Sequence, residues 1–122
     1  MSRIVLWVSD LNHQADFYSA LFDTTPKSST AEYSEISDGH NAVLLHALPE
    51  QYRTPAADIQ VQEEVAIKPI FSVRSIEEAQ SRISRFNVRF GSEKNTYGDI
   101  AYLDCIDPEG NVIQLSHKAQ RS

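Results

Sequence analysis

The feature that most constrains this chain is an approximate internal repeat. Ile4-Val5-Leu6-Trp7-Val8 is a short run of strand formers, and Asp10 follows as a helix N-cap ahead of Leu11, Ala15, Tyr18 and Leu21 or Phe22 at helical spacing. The same order returns 65 residues on, where Arg3 falls on Lys68, Val5 on Ile70, Val8 on Val73, Asp10 on Ser75, Leu11 on Ile76 and Leu21 on Phe86. Capping residue falls on capping residue. A period this long, met twice, fits a pair of modules and not a solenoid.

The rest of each half follows the same plan. Pro26 and the small polar residues Ser28, Ser29 and Thr30 break the first helix pattern, Glu32 to Ser37 alternates weakly as an exposed strand does, and Asp38-Gly39 is a turn ahead of a buried strand from Asn41 to Ala47. From Leu48 to Glu64 the chain carries Pro49 and Pro55 with no sustained period, which reads as a linker holding one short turn. Val65 to Val73 returns to strand character, with Pro69 requiring an edge position or a bulge. Ser75-Ile76-Glu77-Glu78 matches a capping box, and Ile76, Ala79, Ile83 and Phe86 form the apolar stripe of a second helix. Val88-Arg89-Phe90 is a short strand candidate and Gly91 to Gly98 a polar loop.

Ala101 to Ile106 and Val112 to His117 then flank Asp107-Pro108-Glu109-Gly110-Asn111 as an antiparallel hairpin, with Pro at the second position of the turn and Gly at the fourth. Asp38-Gly39 matches Glu109-Gly110 and Asn41 to Leu45 matches Asn111 to Leu115, with a one-residue shift between alternatives. The expected architecture is α+β, one domain over 1–122: module one about 1–48, linker about 49–64, module two about 65–118. Each βαβββ module has a sheet with one face under a helix and the other uncovered. Two such sheets placed edge to edge and curled make a curved mixed sheet with a concave cleft, where function is expected to sit.

Composition narrows the function classes. The net charge of −6 is spread along the chain and Lys and Arg do not cluster, so no nucleic acid is expected as a partner. No apolar run approaches the roughly 20 residues that span a bilayer, and the start lacks the pattern of a secretory signal, so a soluble protein with no membrane partner is expected. Cys105 is the only cysteine, which rules out an intrachain disulfide and a cysteine-rich metal site and suits the cytoplasm.

Two stretches carry a family resemblance. Val8-Ser9-Asp10-Leu11 running into Phe17-Tyr18 and Leu21-Phe22, and Asp107-Pro108-Glu109-Gly110-Asn111-Val112-Ile113-Gln114-Leu115, together resemble the vicinal oxygen chelate superfamily. That superfamily includes glyoxalase I, extradiol dioxygenases and the fosfomycin and bleomycin resistance proteins. The resemblance implies the paired βαβββ fold. In metal-dependent members it also implies a divalent ion held by His, Gln or Glu from the first and last strands of each module. By that resemblance the first-strand position falls on Arg3 and its mate on Lys68. The last-strand position is Gln114 in module two, and Leu45 or, in the shifted register, Leu44 in module one.

Arg has no lone pair to give, Lys is protonated unless strongly desolvated, Leu is no ligand, and Gln114 alone makes no site. The inherited metal site therefore reads as empty and no cofactor is expected. The resemblance then points to the metal-free, bleomycin-resistance-like branch: a small organic ligand, antibiotic or metabolite, in a cleft shared across a homodimer. Candidates to line the cleft are Arg3, Val5, Trp7, Leu45, His46, Lys68, Ile70, Tyr102 and Gln114, with Ser72, Tyr33, Tyr52 and Tyr97 behind them. Facing the cavity, Arg3 and Lys68 would favour a carboxylate, and Trp7 would stack on a flat ligand. Against this stand solvated rim positions for the two cations and a core position for the Trp. The alternatives are a lyase or dioxygenase with displaced ligands, His46 turning inward by a strand slip to join His40 and His117; a Cys105 nucleophile; or a non-catalytic interaction protein.

Overall fold

A computed structural model of the chain describes residues 2–92 and 94–118. The first half runs β1 (Ile4–Val8), α1 (Leu11–Leu21), β2 (Ser28–Ser29), β3 (Tyr33–Ser37) and β4 (Ala42–Ala47). The second runs β5 (Ile70–Ser72), α2 (Ile76–Ile83), β6 (Asn95–Tyr97), β7 (Ile100–Ile106) and β8 (Val112–Lys118). These form two four-stranded mixed sheets of order β1-β4-β3-β2 and β5-β8-β7-β6. In each, the first strand pairs in parallel with the last and the remaining pairs are antiparallel. The repeat in sequence is a repeat of topology, and the fold is α+β with two open sheets. Among the described residues no helix is long and apolar enough to cross a membrane.

The helices begin where their caps place them. Asp10 Oδ1 accepts from the His13 amide at 3.0 Å, and Ser75 Oγ accepts from the Glu78 amide at 3.2 Å. Two further contacts fix this end of α2: the Ser75 hydroxyl donates to Glu77, and the Ile76 amide donates to His117 Nδ1 at 2.7 Å. Arg82 of α2 donates to the carbonyls of Ala20 and Leu21 at 2.8 and 2.9 Å, satisfying acceptors that the end of α1 leaves without helical partners. One core joins both halves through the helices, with Phe17 edge-on to Phe86 at 5.5 Å and Phe22 against Phe71 at 5.1 Å.

Some elements differ from expectation. Val88 to Phe90 forms only a bridge between Phe90 and Cys105, and the strand that pairs with β7 is Asn95–Tyr97, inside the stretch read as a polar loop. Its three side chains are all exposed, so it carries no alternation to detect. β5 begins only after Pro69 and lies at a sheet edge, where a residue without an amide hydrogen does least harm. The linker holds two 3₁₀ turns, Glu50–Tyr52 and Ala56–Asp58, and the serines read as a break contribute β2.

The two hairpin turns settle the register of the repeat. Asp38 Oδ1 accepts from the amides of His40 and Asn41 at 2.8 and 2.6 Å, and Asp107 Oδ1 accepts from those of Glu109 and Asn111 at 2.9 and 3.0 Å. Asp38 thus matches Asp107, not Glu109, and Asn41 matches Asn111 across a turn one residue longer. The Gly110 amide donates to the Asp107 carbonyl at 3.0 Å, with Pro108 and Gly110 where the turn type requires them. Gly110 has φ +87, and a Cβ there would run into the Gln60 carbonyl oxygen, because the linker lies across this turn.

Each turn also docks on the other half's strand-to-helix joint. Glu109 accepts from the amides of Ser9 and Asp10 at 2.7 and 2.9 Å. Asn41 exchanges two hydrogen bonds with the Ser72 backbone, at 2.7 and 3.2 Å.

Candidate functional site

Residues directly opposite one another in neighbouring strands share a sheet face. Val5 lies opposite Leu44 and Leu44 opposite Glu35; Trp7 lies opposite His46 and His46 opposite Tyr33. These two rows form the face of the first sheet that α1 does not cover. Val5 is 50% and Trp7 59% exposed there. Leu45, the expected liner, is fully buried in the core, because alternation sends it to the α1 side; Leu44 takes the open position. His46 reaches the open face by simple alternation, with no slip or bulge.

The rings of the second row form a ladder. Trp7 stacks on His46 with centroids 4.8 Å apart and planes at 29°, and Tyr33 follows His46 at 6.1 Å and 36°. β1 is the edge of its sheet, so the far side of the Trp7 indole has no cross-strand neighbour. Beside the first row, Arg3 Nη1 meets Glu35 Oε1 at 3.0 Å.

The second sheet repeats the layout with different side chains. Ile70 lies opposite Gln114, and Gln114 opposite Asp104; Ser72, Ser116, Tyr102 and Asn95 make the next row. Lys68 Nζ meets Asp104 Oδ2 at 2.9 Å, as Arg3 meets Glu35. Tyr102 packs edge-on to Tyr97 at 5.8 Å, and Ile70 is 54% exposed. Val5, Val65, Ile67 and Val112 border an apolar groove of about 360 Å³ between β1 and the chain leading into β5.

At the four positions where metal-dependent relatives would place ligands, the donor set does not fit a divalent ion. Arg3 and Lys68 are cations held in ion pairs, and Leu44 has no donor atom. Gln114 turns its amide nitrogen to Asp104 Oδ1 at 3.0 Å. The histidines do not assemble a substitute: His40 sits in the β3–β4 turn, and His117 faces α2, where it accepts the Ile76 amide. Among the described residues no group of three His, Cys, Asp or Glu is placed to hold an ion. Cys105 is fully buried, and burial, then the charges of Asp107 and Asp104, push its thiol up to about 12, which leaves no thiolate for nucleophilic chemistry. Tyr52 lies exposed in the linker, in the first of its two 3₁₀ turns.

Glu35 and Asp104, the partners of the two cations, escaped the sequence reading. The signal was present in the repeat, since each half pairs a basic residue ahead of its first strand with an acidic one on its third. It becomes legible only once the turns are aligned on Asp38 and Asp107.

A pair of βαβββ modules, each with one sheet face uncovered, defines the class of protein. The family model described as the Glyoxalase/Bleomycin resistance protein/Dioxygenase superfamily matches residues 1–115, and the chain belongs to that superfamily. Among solved structures it is similar to a glyoxalase/bleomycin resistance protein from Albidiferax ferrireducens T118, with 15% identity, 97% of this chain and 98% of that one covered, and TM-score 0.70. It is also similar to the fosfomycin resistance protein FosX from Listeria monocytogenes, with 17% identity, 98% and 93% covered and TM-score 0.68. A third is a glyoxalase/bleomycin resistance protein from Catenulispora acidiphila DSM 44928, with 14% identity, 95% and 96% covered and TM-score 0.62. At these identities the likeness speaks for the fold. No curated protein matches the sequence.

Proposed function

We propose that this protein binds a small organic molecule on its open sheet faces without a divalent metal, as a cytoplasmic homodimer in which a second copy completes the cleft. The observation that carries the reading is the replacement of metal-ligand chemistry by the Arg3–Glu35 and Lys68–Asp104 pairs on faces that also expose Val5, Trp7 and Ile70. Large apolar side chains left in water on a sheet face mark a surface that something covers. Edge strands β1 and β5 likewise favour assembly with a further copy. The names of the neighbouring structures, fosfomycin resistance and bleomycin resistance, support an antibiotic or a similar metabolite as the ligand.

Elemental analysis of protein purified without added metal tests the metal-free part: substoichiometric nickel, zinc, manganese and iron are expected, and one equivalent of any would overturn it. Sedimentation gives the oligomeric state, with a dimer expected. A thermal-shift screen of small organic molecules tests the ligand, and a screen in which no compound raises the melting point would favour a non-catalytic interaction protein.

A further inference from the structure

We propose a second binding site, separate from the open sheet faces, in the cavity where the linker crosses the joint between β1 and α1. Its ligand is a small zwitterion, an ammonium group and a carboxylate carried on an apolar skeleton.

The linker makes one wall of this cavity and is tied to the others. Pro49 and Pro55 stand at the starts of its two 3₁₀ turns. Between them the Thr54 amide donates to Ser9 Oγ at 2.8 Å, and farther on the Gln62 amide donates to the Gly110 carbonyl at 2.8 Å. Ser9 is the common point, because its own amide donates to Glu109 of the β7–β8 turn at 2.7 Å. These bonds hold linker, helix start and turn around a cavity of about 610 Å³, within the range of small-molecule sites.

The charges on its walls are opposite in sign and unpaired. Asp10 and Glu109 stand at the helix start and the turn, and Arg53 stands on the linker. Arg53 gives Nε to the Leu48 carbonyl at 2.8 Å, which leaves its two terminal nitrogens to donate, and among the described residues no carboxylate pairs with it. Asp10 accepts from the His13 amide, and Glu109 from the amides of Ser9 and Asp10, so both acids are bonded to backbone and neither meets a cation. Burial raises the Glu109 pKa, those amides only partly offset it, and the charges of Asp107 and Asp10 add to it; an ammonium at this wall would favour the ionised form. His13 packs its ring against Phe86 at 5.5 Å, so Arg53 supplies the positive charge.

Between the charged walls the lining is apolar, with Leu11, Ala47, Ile59 and Pro108. A molecule with one charge would press an apolar end against the opposite charged wall. One with both charges meets both walls, and its skeleton covers the apolar lining.

A cavity of this volume is on the order of 10 Å across, so the chain that joins its walls falls within the ω-amino acids from glycine to 8-aminooctanoate. Full-length ¹⁵N-labelled protein titrated with this series is expected to show, for at least one length, saturable shifts of the Ser9, Asp10 and Thr54 amide signals. The Kd should be about tenfold tighter than for the alkylamine and the alkanoate of the same chain length. Arg53→Gln should bring the zwitterion's Kd to that of the alkylamine. Asp10→Asn, which keeps a helix-capping side chain, should weaken the zwitterion about threefold and leave the alkanoate no weaker. Equal binding by zwitterions and singly charged compounds, an undiminished preference in both variants, or no shift at these amides across the series overturns the proposal. Saturable shifts confined to Val5 and Trp7 also overturn it, while leaving the small-molecule reading of the open face standing.

Discussion

Gln114 donates its side-chain amide to Asp104 at 3.0 Å, spending on a neighbour the residue that comes nearest to a metal ligand. Asp104 also holds Lys68, so the three side chains form a closed polar unit on the second sheet. Gln114→Glu would set a second carboxylate against Asp104 without creating a partner set for an ion. The expected result is a loss of about 1 kcal/mol at neutral pH, recovered as the solution is acidified and one carboxyl of the pair takes a proton. Added zinc should leave the melting point unchanged. Calorimetry of the variant across pH, with and without metal, checks both.

Tyr18 is fully buried and donates its hydroxyl to Asp107 at 2.8 Å, in a network that Gln14 joins at 3.1 Å. Burial first, and then the neighbouring Asp107 charge, hold the phenol far above its usual range, so it acts only as a donor. Tyr18→Phe removes that donor from a buried carboxylate at nearly constant volume. Denaturant unfolding should show a loss of about 1–3 kcal/mol with little change in the slope.

Gly110→Ala should be among the most destabilising changes outside the core. The residue has φ +87, and the added methyl meets the carbonyl of Gln60 in the linker. A loss of about 2 kcal/mol or more is expected. Gly39→Ala, at φ +92 with open space around the added carbon, should cost less. The difference between the two melting points measures the linker contact apart from backbone strain.

Two carboxyl groups pull the pH dependence of stability in opposite directions. Burial raises the Glu109 pKa; the amides of Ser9 and Asp10 only partly offset this, and the charges of Asp107 and Asp10 add to it. A carboxyl raised on folding stays protonated longer in the native state, so its contribution to stability declines as pH rises from the unfolded value through the native one. At Asp38 burial also raises the pKa, but bonds from the Asn41 and His40 amides and the Asn41 side chain outweigh it, so the native value is lowered. That contribution is present above the unfolded value and disappears as pH falls through the native one. Glu109→Gln should therefore gain on the parent as pH goes from about 4 to about 7, and Asp38→Asn should lose on it as pH rises toward about 4, with the difference then level above that. The slopes of the melting-point differences against pH are the measurement.

Much of this molecule was legible in its sequence where residue chemistry acts locally. Asp10 and Ser75 announced both helices, Pro108 and Gly110 announced the turn, and Pro69 announced an edge. What escaped depends on partners distant in the chain. Leu44 and Leu45 are both leucine, and only the register against Val5 and Glu35 decides which faces water. β6 exists because β7 offers it a row of hydrogen bonds, and its own Asn95-Thr96-Tyr97 has no buried face to betray it. The ion pairs join residues 32 and 36 apart in the chain, a separation that only the aligned repeat makes visible.

The reciprocal joints, Glu109 on Ser9 and Asp10 and Asn41 on Ser72, seat each turn on the other half through residues that are not equivalent in the repeat. One joint is a carboxylate plugged into two amides, and the other is a neutral amide clasp. Acid therefore acts on the first joint at the contact itself and on the second only through Asp38, whose carboxylate holds Asn41 in place.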